Sequence, residues 1–114
     1  MKKFRLRMIS LFLAVMMALC LTGCSESQTR MMFGTGGTAG TYYSYGGVLA
    51  QYMKTYAGVR TTAVSTGGSK VNIQSIQDGD FQLGFTQSDV MTYGWNGTRA
   101  FEQDGPTHDF RTLG

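Results

Sequence analysis

MMFGTGGTAGTYYSY, residues 31–45, is the stretch that decides how this chain folds. The apolar run Met31–Phe33 reads as a short strand. It breaks into a turn in which Gly34, Gly36, Gly37 and Gly40 alternate with Thr35, Thr38 and Thr41. A helical pattern then opens on Tyr42, Tyr43 and Tyr45. Glycine lets a ligand approach the peptide groups closely. A helix that leaves such a turn aims its first, unpaired N–H groups at one point. The stretch therefore reads as the first wall of an anion-binding cleft.

Downstream the pattern repeats twice. The predicted first helix runs over about Thr41–Tyr56. Tyr45, Val48, Leu49, Tyr52 and Met53 recur at the spacing of one buried stripe. Gly46 and Gly47 are expected to bring this helix close to the sheet, and Gly58 to end it as a C-cap. Val59–Val64 (VRTTAV) is rich in β-branched residues and reads as the second strand. Ser65–Ser69 forms the second turn, with Ser69 as the expected N-cap. A second helix follows over Lys70–Asp78 and offers Val71, Ile73 and Ile76 to the core. Asp78-Gly79-Asp80 turns the chain into a third strand, Phe81–Phe85. Thr86-Gln87-Ser88 leads into a third helix over Asp89–Trp95, closed by Asn96-Gly97. Three strands alternating with three helices predict an α/β fold with a parallel sheet.

In such a sheet ligands sit at the carboxyl ends of the strands, where all three turns fall. Each turn opens a helix whose N-terminus carries about half a positive charge. With hydroxyls from Thr38, Thr41, Ser69 and Ser88, these termini could hold a carboxylate without an arginine. Tyr42, Tyr43, Asn72 and Gln87 are further candidate contacts. Every one of these residues also has a plain structural reading, as a turn former, a cap or a core aromatic. Gly34, Gly36 and Gly40 give a G-x-G-x-x-x-G run, a weak variant of the dinucleotide fingerprint. No acid lies between Glu26 and Asp78 to take a ribose. There is no Ser/His/Asp set and no cluster of metal-ligand residues, and His108 stands alone, so neither catalysis nor a cofactor is expected.

Residues 1–23 read as a secretion signal. Lys2, Lys3, Arg5 and Arg7 precede an uncharged, mainly apolar run of 14 residues, Met8–Leu21. That run is shorter than the roughly 20 residues a spanning helix needs. Leu21-Thr22-Gly23-Cys24 resembles the lipobox of bacterial lipoproteins, with Cys24 as the acylated residue. The signal holds four of the ten basic residues, which leaves six against seven acids, a net charge of −1. The basic character of the whole chain thus points to no nucleic-acid partner. Residues 24–30 form a polar tether, and 31–114 the domain proper. Pro106–Gly114 shows no pattern of its own, and a truncated frame is expected.

Three ordered segments carry a family resemblance: FGTGGTAGTYYSYGGVLAQ (33–51), STGGSKVNIQSIQDG (65–79) and LGFTQSDV (83–90). With the lipobox, they resemble the TAXI family, the solute-binding subunits of TRAP transporters. The resemblance implies the first lobe of a type II periplasmic-binding-protein fold, without its second lobe. It implies capture of a small carboxylate or an amino acid such as glutamate, and delivery to a TRAP permease driven by an ion gradient. It places the protein outside the cytoplasm, periplasmic or lipid-anchored to a membrane through Cys24. Carried over by position, Gly36, Thr38, Tyr42, Tyr43, Gly68, Ser69, Asn72, Gln87 and Ser88 would contact ligand. Ser44 stands where that family often carries a proline. A nucleotide-binding α/β enzyme and a small structural surface lipoprotein are the alternatives.

Overall fold

The computed structural model describes residues 30–113. The expected signal, Cys24 and most of the expected tether lie outside the described residues.

Three parallel strands and three helices alternate along the chain, as expected for one binding-protein lobe. Strand β1 is Arg30–Gly34, helix α1 Thr41–Ala57, β2 Arg60–Val64, α2 Ser69–Gln77, β3 Leu83–Gly84 and α3 Ser88–Asn96. A 3₁₀ turn follows at Arg99–Phe101. The sheet order is β2-β1-β3, with Arg30 beside Arg60, Gly34 beside Val64, and Gly34 beside Gly84. The centre of the sheet is therefore its first strand, and the chain reverses direction across the sheet between β1 and β3. That reversal is a topological switch point, where open α/β sheets form their crevice.

Successive strand residues point to opposite faces. Phe33 points toward the Phe85 ring, 4.7 Å away between centroids, and Tyr42 and Tyr45 of α1 pack on that same ring. The neighbouring Gly34 faces Asn72 of α2. Helices thus cover both faces. The core is small: Phe33, Ala50, Ile73 and Phe101 are buried.

Four local expectations are corrected. The α1 stripe does not form the packing face: Tyr45, Val48 and Tyr52 are 61%, 67% and 58% exposed. Gly46 and Ala50 are buried instead, with Leu49 and Met53 at the margin. A helix can approach a sheet most closely along small residues, and Gly46 does so against Thr35. Gly47 plays no such part, since it is exposed with open space around it. The N-cap of α2 is Gly68, not Ser69, and no side chain caps it. β3 is two residues long rather than five. Its ladder is extended by Gln82 N–H to Met32 O (3.1 Å), Phe85 N–H to Gly34 O (2.9 Å), and Met32 N–H to the Gln82 Oε1 atom (2.8 Å).

The helix ends follow the sequence. Gly58 and Gly97 both take the left-handed conformation that closes a helix without steric cost. Lys70 pairs with Asp104 at 2.7 Å and lies over the Phe101 ring, tying α2 to the segment after the 3₁₀ turn.

Candidate functional site

The loops that leave β1, β2 and β3 meet at one edge. Thr35 begins the union: its N–H and its hydroxyl both donate to Val64 O, at 3.0 and 2.6 Å. Gly36 O then accepts from Thr66 N–H (3.2 Å) and from the Ser65 hydroxyl (3.0 Å). The third loop is tied in by Gln87 N–H, which donates to Ser69 Oγ at 3.0 Å. The three carboxyl-end loops therefore form one continuous rim.

Helix N-termini open onto this rim. The N–H groups of Thr41, Tyr42 and Tyr43 in α1, and of Ser69, Lys70 and Val71 in α2, have no acceptor among the described residues. The same holds for Ser88 and Asp89 in α3. Such groups are donors in search of acceptors, and their helix dipoles favour a negative partner. Asp89 tempers this at α3, where its carboxylate accepts from Val90 N–H at 2.8 Å. Arg30 and Arg60 lie at the opposite end of the sheet, and Lys70 is engaged with Asp104. Any charge complementarity for an anion at this rim comes from backbone dipoles.

The candidate residues divide by position. Thr38, Gln87 and Ser88 are exposed on the rim, and Gly68, Ser69 and Tyr43 are half-buried beside it. Gly36 is buried and contributes backbone. Tyr42 is half-buried with its ring 5.2 Å from that of Phe85, so one face belongs to the aromatic cluster. Asn72 departs from the expectation. It is fully buried, donates to Thr35 O and Phe85 O at 2.7 Å each, and accepts from the Thr66 hydroxyl at 2.7 Å. With both donors and its oxygen engaged, its side chain reaches no ligand in this arrangement.

Thr35, Thr66 and Phe85 were not among the expected site residues, yet they bind the loops together. A hydroxyl directly after a strand was the available signal for Thr35. A second groove, of about 500 Å³, lies between α2 and the segment after α3 and touches the rim residues at Val71. Among the described residues no group of three or more His, Cys, Asp and Glu is placed to hold a metal ion. No described helix is long and apolar enough to cross a membrane.

A family model described as NMT1-like family matches residues 33–114. The chain belongs to the NMT1-like family. This is a family of the periplasmic-binding type, consistent with a solute-binding role. The match begins at Phe33, at the end of β1, and takes in all three loops of the rim.

Proposed function

We propose that this NMT1-like chain is the solute-capturing component of a TAXI-type TRAP transporter, lipid-anchored outside the cytoplasm through Cys24. Its ligand is a small organic anion or an amino acid such as glutamate, passed on to a membrane permease. The observation that carries this reading is the convergence of three strand-to-helix loops whose helix-opening N–H groups have no acceptor among the described residues. Gly36, Thr38, Tyr42, Tyr43, Gly68, Ser69, Gln87 and Ser88 are the proposed contacts. Backbone donors would take the carboxylate, and the tyrosines would cover the remainder of the molecule.

A single rim forms one wall of a cleft, and tight sites bury most of their ligand. Binding by this chain is therefore expected to be weak, with Kd on the order of 1 mM, or about −4 kcal/mol. Thermal unfolding of the chain with rising glutamate tests the reading. Ligand at 100 times Kd should add about 2.7 kcal/mol of stability. NADH and ATP arms run beside it. A rise with glutamate alone supports solute capture; a rise with the nucleotides alone overturns it.

A further inference from the structure

Asn72 occupies a position that the fold has cleared for it. A Cβ placed on Gly34 of β1 would fall 2.5 Å from its Oδ1 atom, and one on Gly84 of β3 would fall 3.0 Å from its Cβ. Only two strands lacking side chains at these adjacent positions leave room for the amide. Into that room α2 inserts one planar group with two donors and one acceptor, and each finds a different loop. One amide hydrogen goes to Thr35 O after β1 and the other to Phe85 O after β3. The oxygen takes the Thr66 hydroxyl after β2. Thr66 in turn accepts from Gly68 N–H at 3.1 Å, at the mouth of α2.

We propose that Asn72 is a positioning residue that sets the spacing of the three loops, and hence the relative placement of the three helix N-termini. The assignment rests on the reading of this rim as the solute site. Its structural half is tested without a ligand. Buried polar groups stripped of a partner are costly, and here the loss would fall on three loops together while the far ends of the elements keep their own bonds.

Amide hydrogen exchange on the full chain compares wild type with Asn72→Ala and Thr66→Val. In Asn72→Ala the rim amides of Thr66, Phe85 and Gln87 should exchange about tenfold faster or more. Those of Val59, Thr98 and Thr107, bonded to Met53, Tyr93 and Gly94, should hold their rates. Thr66→Val keeps both donors of Asn72 but removes the hydroxyl's bonds to Asn72 Oδ1, Thr35 O and Gly68 N–H. It should loosen the second loop, at Thr66 and Gly68, and leave Phe85 and Gln87 at their rates. Uniform acceleration in both variants, or none in either, overturns the proposal. If Asn72→Ala does not fold, the pattern in Thr66→Val decides by itself: loss confined to the second loop supports the link, and loss everywhere or nowhere overturns it. Failure of wild type to bind glutamate would remove the solute reading and leave this exchange pattern to be judged independently. Glutamate binding equal in wild type and Asn72→Ala would overturn the positioning role.

Discussion

Gly46 of α1 sits on Thr35 so closely that a Cβ on the glycine would lie 2.5 Å from the threonine methyl. Thr35 is itself fully buried and bound to Val64 O through two hydrogen bonds, so it has no room to yield. The next residue, Gly47, meets nothing within 4 Å. Two adjacent helical glycines therefore predict opposite outcomes. Gly46→Ala should destabilise by about 1–3 kcal/mol through overpacking. Gly47→Ala should stabilise by about 0.5–1 kcal/mol through helix propensity alone. Chemical denaturation of the two variants measures both signs.

Thr107 carries the one buried side-chain oxygen without a hydrogen-bond partner among the described residues. Its N–H is bonded to Gly94 O at 2.9 Å, and its methyl lies near the Gly94 backbone. Thr107→Val keeps the shape and removes the unsatisfied hydroxyl. It should raise stability by about 1 kcal/mol, read as a higher denaturant midpoint at unchanged slope.

The outer face of α1 presents Tyr45, Val48, Tyr52 and Tyr56, each more than half exposed, and the first three border a shallow trough of about 270 Å³ with Leu49. Contiguous exposed apolar surface promotes association. Val48→Lys should reduce self-association, measured by sedimentation, with stability held within about 0.5 kcal/mol because no buried contact is lost.

That same face shows where sequence reading stopped. The strand–turn–helix order was legible because short apolar or β-branched runs alternate with glycine and hydroxyl clusters, and Gly58 and Gly97 mark helix ends by their type. Hydrophobic periodicity weighs large side chains, so Tyr45, Val48 and Tyr52 outvoted Gly46 and Ala50, although the small residues make the contact. At the rim, the approximate location followed from the turns after each strand. The division of labour did not. Asn72 and Ser69 look alike as polar residues near a helix start, yet one is sealed inside and the other lies at the rim. Only the third dimension, with Gly34 and Gly84 making space, separates them. Thr66 escaped notice because its partners are 31 residues away in one direction and 6 in the other.

The most direct test of the central claim is a titration of the ¹⁵N-labelled chain with glutamate, followed amide by amide. The account predicts saturable shifts concentrated at residues 36–43, 68–71 and 86–89, with Thr41–Tyr43, Ser69–Val71 and Ser88–Asp89 among the largest. Shifts confined to the groove near Gln74 and Asp104, or none as glutamate rises well beyond the millimolar range, would contradict it.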